Sequence, residues 1–321
     1  MKLIYIISMA HSGSTLADLT LGTHPEICSS GELRYLNWQL HRTTNKEGAV
    51  EDGDICSCLK DFRKCDFWSK VITELEKSTG LNIYKDPKSF DTAYFGEFAY
   101  KNRGGFTRSF FDKLFSFLVR LWCEKGYSYK KIPFLNKKIS TWLSNNWLLY
   151  QTMSKVSGRK VVVDSSKHLM IALLLQQFKP KDVTLIFIHR SIKELAASHK
   201  KWALKKGEKV DFISVAKSKS TYEDRVARYK QNIESLKYID IHYKDLVKYP
   251  ADFLRDVTQK LKLKQDYILQ PNEHFFIDPT SNHLVAGNPM RYKGKQQIKH
   301  DHGSKIILSN NDILFMKDLI K

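Results

Sequence analysis

At 321 residues, with 42% hydrophobic and 27% charged side chains, 15 Gly and 8 Pro, the chain can bury a full core and is neither collagen-like nor disordered. A formal charge of +19 draws polyanions, membrane surfaces and anionic small molecules alike, but the lysines are scattered with no block of five like charges, so no specific nucleic-acid binding is expected. The longest apolar runs, Leu3 to Ser8 and Val183 to Ile188, fall well short of the roughly 18 residues of a membrane helix, so no membrane span is expected.

Leu3 to Ser8 is β-branched and apolar, shorter than the core of a signal peptide, and reads as a buried first strand. Ser12-Gly13-Ser14-Thr15 is a turn, after which Leu16, Leu19 and Leu21 keep helical spacing until Gly22. From about residue 40 to 140 the pattern weakens into charged and aromatic stretches, with helices over Trp68 to Ser78 and Phe110 to Glu124 and no clean strand. We read this as a largely helical insertion whose many tryptophans supply core and some of the acceptor pocket. Regular alternation then returns: helix Ile139 to Val156, strand Lys160 to Val163, helix His168 to Phe178, strand Val183 to Ile188, helices Ile192 to Leu204 and Tyr222 to Leu236, strand Tyr238 to His242, and helix Phe253 to Leu263. The tail is irregular and rich in Asn, Gly and His. This order predicts an α/β fold, a P-loop-like central parallel sheet flanked by helices, in a single domain over residues 1–321.

Cysteines at 28, 56, 58, 65 and 123 are too few and too irregular for a disulfide scaffold and suit a reducing, cytoplasmic compartment. Cys56, Cys58 and Cys65 cluster, but a structural zinc would need a fourth ligand, for which His41 and Cys28 are the candidates; a local disulfide or buried thiols are the alternatives. The sequence therefore assigns no metal ligands.

Ligands of such sheets bind beyond the carboxyl ends of the strands, and four of those ends carry polar groups. After the first strand, Ser8-Met9-Ala10-His11-Ser12-Gly13-Ser14-Thr15 has the Gly and Thr of a P-loop, but Ser8 replaces the first Gly and Ser14 the Lys. Its amides and the hydroxyls of Ser12, Ser14 and Thr15 suit one phosphate, without the lysine that reaches the outer phosphates of ATP. Val163-Asp164-Ser165-Ser166-Lys167 reads either as a strand ending in a magnesium-binding Asp or as a source of the missing cation, Lys167. Arg190 follows the next strand, with Ser198 eight residues on, a pair suited to a second, separate phosphate. Tyr243, in Tyr243-Lys244-Asp245-Leu246, places a ring where a purine could lie.

In this order the segments resemble the sulfotransferase family that uses 3′-phosphoadenosine-5′-phosphosulfate (PAPS). His11-Ser12-Gly13-Ser14-Thr15-Leu16 is similar to its 5′-phosphosulfate loop, although many members have Arg or Lys where His11 stands. Arg190 and Ser198 match its 3′-phosphate motif, Tyr243-Lys244-Asp245-Leu246 its Tyr-Glu-Asp-Leu segment, and Asn288-Pro289-Met290-Arg291 its C-terminal Gly-Asn-x-x-Arg element, with Arg291 and Lys293 assigned to the 3′-phosphate. Asp164-Ser165-Ser166-Lys167 and the cysteine cluster before Phe67-Trp68 look like features of bacterial members that modify carbohydrates or small natural products. The resemblance implies sulfo transfer from PAPS to a hydroxyl or amine, leaving 3′,5′-adenosine bisphosphate, with no metal required. Glu32 matches the position of a catalytic base in some members; His11 takes the cation role and competes for that of base; Lys167 is the second cation at the leaving group, and Arg34 orients Glu32 or the acceptor. Two other classes stay open: a phosphotransferase or NTPase holding Mg²⁺ on Asp164, and a non-catalytic basic module that binds polyanions.

Overall fold

Lys2–Ser8 form the first strand, β1, whose residues after Lys2 are all buried. In a computed structural model, which describes residues 1–44, 55–92, 110–233, 236–267 and 270–299 together with Leu308 and Asp312, β1 lies at the centre of a five-stranded sheet. The helix α1 (Ser14–Leu21) follows, then β2 (Ile27–Ser29) and α2 (Leu36–Thr44). Next come α3 (Asp66–Thr79), α4 (Phe110–Glu124), α5 (Asn136–Ser157), β3 (Val161–Asp164) and α6 (Leu169–Phe178). The fold continues with β4 (Val183–His189), α7 (Ile192–Lys206), α8 (Phe212–Asn232), β5 (Tyr238–His242), α9 (Tyr243–Lys248) and α10 (Pro250–Lys260). A two-residue antiparallel hairpin, β6 (Phe276–Ile277) and β7 (Gln296–Gln297), draws the tail together.

The strand order is β2-β3-β1-β4-β5 and every neighbouring pair is parallel, as the alternation of strands and helices predicted. Because successive side chains of a strand face opposite ways, β1 feeds two cores. Leu3, Tyr5 and Ile7 pack with α5, α6 and the insertion residues Trp68, Val71 and Leu75 of α3. Ile4 and Ile6 pack with Leu16 and Leu19 of α1, Leu246 of α9 and Leu254 and Val257 of α10. Apolar cover on both faces is why the strands read as unbroken hydrophobic runs. Among the described residues no helix is long and apolar enough to cross a membrane.

Most helix limits fall within a few residues of expectation. The exception is α8, which starts ten residues earlier than Tyr222, at Phe212, because the Asp211 side chain accepts a hydrogen bond from the Ser214 amide and caps it there. Strand β2 was not foreseen, since three residues are too few to show a period.

Ile6 is fully buried and pairs with Ile186 of β4 at the middle of the sheet. Ile6→Ala should lower the unfolding free energy by about 2–5 kcal/mol, read as a lower urea midpoint at unchanged slope.

Candidate active site

All five strands run the same way, so their carboxyl ends share one edge, and the residues that leave them stand in a row. Along that row come Ser30–Glu32 after β2, Ser165–Lys167 after β3, the His11–Gly13 loop after β1, Arg190 after β4 and Tyr243 after β5.

The central loop ends in Gly13, the N-cap of α1, in the left-handed region at φ 93° and with no side-chain cap, so the first amides of the helix face outward unclaimed by a capping group. Only glycine suits this position, because a Cβ would stand 2.5 Å from the Tyr243 ring. Ser12, Ser14 and Thr15 are buried around the turn. Thr15 Oγ1 accepts the amide hydrogen of Asn288, which leaves the hydroxyl proton for donation. His11 is held at φ 62°, an uncommon conformation for a side chain of its size.

On the β2–β3 side the candidate base and a candidate cation meet directly. Lys167 Nζ lies 2.6 Å from Glu32 Oε1, and Arg34 approaches the other carboxylate oxygen at 3.9 Å. Both members of the close pair are largely shielded from solvent, at 18% and 8% side-chain exposure, so water screens their attraction less than that of a surface pair. Their backbones are fixed from several directions. Gly31 N donates to Asp18, Ser165 N to the Gly31 carbonyl, Glu32 N to the Ala286 carbonyl and Lys167 N to the Ile6 carbonyl. Lys167, like His11, sits at positive φ, 65°.

Asp164 does not face this edge. It is 2% exposed, its Oδ2 accepts the Tyr150 hydroxyl at 2.8 Å, and its Oδ1 accepts the amide and hydroxyl of Ser166. The magnesium-holding role open to it from sequence is therefore corrected: the carboxylate orders the β3 exit from within.

On the β4–β5 side Arg190 stacks on Tyr243, with Cζ 3.8 Å from the ring centroid, and donates from one guanidinium nitrogen to the His11 carbonyl. Its Nε is buried with no hydrogen-bond partner. Ser198 is half-buried two turns into α7. The tail segment 282–293 lies over the central loop, where a Cβ on Gly287 would come within 2.9 Å of Thr15 Oγ1. Asn288 uses its side chain to cap the turn after it, accepting the Met290 amide, while Lys293 is exposed. Arg291 departs from the expected phosphate role. It is 5% exposed, and its guanidinium donates to the Leu284 and Val285 carbonyls and the Tyr292 hydroxyl, so it folds the tail on itself.

Burial, His199, Lys167 and Arg190 together lower the His11 pKa to about 4. With that shift the imidazole of the ligand-free site is neutral at pH 7, where a cation was expected. His199 and Trp202 pack on His11, with ring centroids 4.5 and 6.0 Å away, and with Met9 and Ala10 they line a cavity of about 450 Å³ beside the loop. The rest of its wall comes from α7, the start of α8 and the turn between them, including Ala203, Asp211 and Ser214.

The model of the sulfotransferase family matches residues 4–267. The chain belongs to that family. No curated protein matches the sequence. Among solved structures it is similar to the sulfotransferase domain of the Synechococcus PCC 7002 olefin synthase, at 14% identity, over 99% of this chain and 94% of that one, with TM-score 0.47. It is also similar to the sulfotransferase domain of the curacin biosynthetic pathway, at 14% identity, over 98% and 86%, with TM-score 0.43. A sulfotransferase from Mycobacterium avium shares 12% identity over 83% of this chain and 65% of its own, with TM-score 0.40.

Three features of this family member escaped the sequence. Asp18 looks like a polar position of a short helix, yet its buried carboxyl gathers Ser29, Gly31 and Ser165 and is pushed by burial up to about 7. His199 and Trp202 carried a readable signal, i and i+3 on the helix that displays Ser198. The cysteine cluster finds its partner in His283 rather than in His41 or Cys28.

His11 titrates at about 4 in the folded chain against 6.5 ordinarily, so the unfolded chain binds a proton that the folded one refuses. That contribution to stability is present above pH 6.5 and is lost as pH falls through 4. His11→Asn, which tolerates the left-handed conformation, should flatten this part of the pH–stability curve in urea melts between pH 7 and 4.

Proposed function

We propose that this family member transfers the sulfo group of PAPS to a hydroxyl or amine of a carbohydrate or other small-molecule acceptor, with Glu32 as base and without a metal. The observation that carries the reading is the row along the sheet edge: a carboxylate–ammonium pair at Glu32 and Lys167, a lone phosphate cradle after β1, and a second cationic site at Arg190. PAPS supplies an activated sulfo group on its 5′-phosphate and carries a separate 3′-phosphate, a pairing that one cradle and a cation beside it on the β4 side support.

The amides opening α1, with Ser12, Ser14 and Thr15, would hold the 5′ end. Arg190 would take the 3′-phosphate, helped by Ser198 and by the exposed Lys293, and its unpartnered buried Nε supports that fit. Tyr243 and Asn288 bound the same space through their contacts with the loop. Arg291 would act one step away, shaping the tail. In the reaction Glu32 accepts the proton of the attacking group, while the Lys167 ammonium offsets charge building on the leaving phosphate. The ion pair links the two events: once Glu32 is neutralised, the ammonium loses its partner and turns its full charge toward the phosphate. His11, as a neutral imidazole, would donate one hydrogen bond. The inward bonds of Asp164 and the serine in place of the P-loop lysine weigh against Mg-ATP. Cysteine usage supports a reducing, cytoplasmic setting.

Calorimetric titration should show 3′,5′-adenosine bisphosphate binding without metal and more tightly than ATP with Mg²⁺; the opposite preference would remove the reading. With an acceptor that turns over, Glu32→Gln should keep bisphosphate affinity and lose transfer by about 10²-fold or more, whereas retained turnover would move the base to His11.

A further inference from the structure

We propose that Cys56, Cys58, Cys65 and His283 bind one zinc ion in a closed structural site. Their four ligand atoms all lie within 4.8 Å of one another. Cys65 Sγ is 3.6 Å from the sulfurs of both Cys58 and Cys56 and 3.3 Å from His283 Nδ1, and Cys56 Sγ is 3.8 Å from that nitrogen. Zinc bonds of about 2.3 Å to sulfur and about 2.0 Å to nitrogen, at tetrahedral angles, set such edges at about 3.8 Å and about 3.5 Å. Four of the six edges of that polyhedron are already close to these lengths. A disulfide, at about 2.05 Å, would engage two of the three sulfurs and leave the third against the histidine. Three thiolates and an imidazole favour zinc over the oxygen-seeking magnesium and calcium.

The surroundings hold the ligands as a metal site requires. Ser57, between two of the cysteines, donates to the Asn282 carbonyl at 2.7 Å and accepts the Leu284 amide at 2.9 Å, so it brackets His283 on both sides. Trp68 Nε1 donates to the His283 carbonyl, and the Phe67 ring lies 4.8 Å from the imidazole and within 10° of parallel to it. Cys56 and Cys65 are buried and the other two half-buried, which suits four protein ligands with no open position. Each thiol releases its proton to solvent on binding.

The ion would fasten the tail to the insertion. Two and three residues past His283, Val285 donates to the Ser30 carbonyl and Ala286 accepts from Glu32, and Asn288 then reaches Thr15. Both the base loop and the phosphate cradle therefore lean on the segment the zinc would anchor. The geometry stands apart from the donor assignment, so the two readings can fail separately.

Protein purified under reducing conditions without added metal should contain one zinc per chain by elemental mass spectrometry. Cobalt exchanged into the full chain should give the visible bands of a tetrahedral site with sulfur-to-metal charge transfer. Cys58→Ser should bind at least tenfold more weakly, His283→Cys should retain the ion, and Cys28→Ser should leave it unchanged. Chelation should lower the melting midpoint by several degrees. A wild-type chain that contains no zinc and takes up neither zinc nor cobalt, or one that is lighter by two hydrogens through a Cys56–Cys65 bond, would overturn the proposal; neither reading depends on whether the variants fold.

Discussion

The buried carboxylate of Asp18 is the constraint on which the site is built. From inside α1 it accepts the hydroxyls of Ser29 and Ser165 and the amide of Gly31, and so ties the helix of the central loop to the exits of β2 and β3. A buried acceptor of this kind is stable only while each donor stays in place, so the three segments hold one another in register. Glu32 and Lys167 each follow one of these donors closely in sequence, and their ion pair inherits the precision of the knot.

The charges are then graded along the sheet edge rather than heaped in one place. On one side Lys167 is balanced by Glu32; on the other Arg190 is held by the Tyr243 ring and the His11 carbonyl. His11, between them, is kept neutral by burial and by both cations. A chain of net charge +19 thus sets two cations, Lys167 and Arg190, on either side of its central loop, the first of them beside a carboxylate.

Two non-glycine residues of the edge, His11 and Lys167, stand at positive φ, and such strain persists only where neighbouring structure over-determines it. Here the neighbours are the Ile6 carbonyl, which fixes the Lys167 amide, and Arg190, which fixes the His11 carbonyl. The tail completes the enclosure by laying Gly287 and Asn288 on Thr15 and by bonding Ala286 to Glu32.

Local information was enough for much of this. The unbroken apolar runs of β1, β3 and β4, the alternation of strands with helices, and the turn Ser12-Gly13-Ser14-Thr15 announce a two-sided parallel sheet with a tight glycine turn at its edge, because periodicity and turn chemistry act over a few residues. That Arg190 follows a strand, and so reaches that edge, was legible for the same reason. What depends on contacts across the chain was not: the short strand β2 that carries Glu32 to the row, the inward turn of Asp164 and Arg291, and the meeting of His283 with cysteines 218 to 227 residues away. Residue type and spacing determined which chemistry the chain could perform; the direction in which each charged side chain points, and hence which of them face the site, was decided by packing and desolvation in the folded whole.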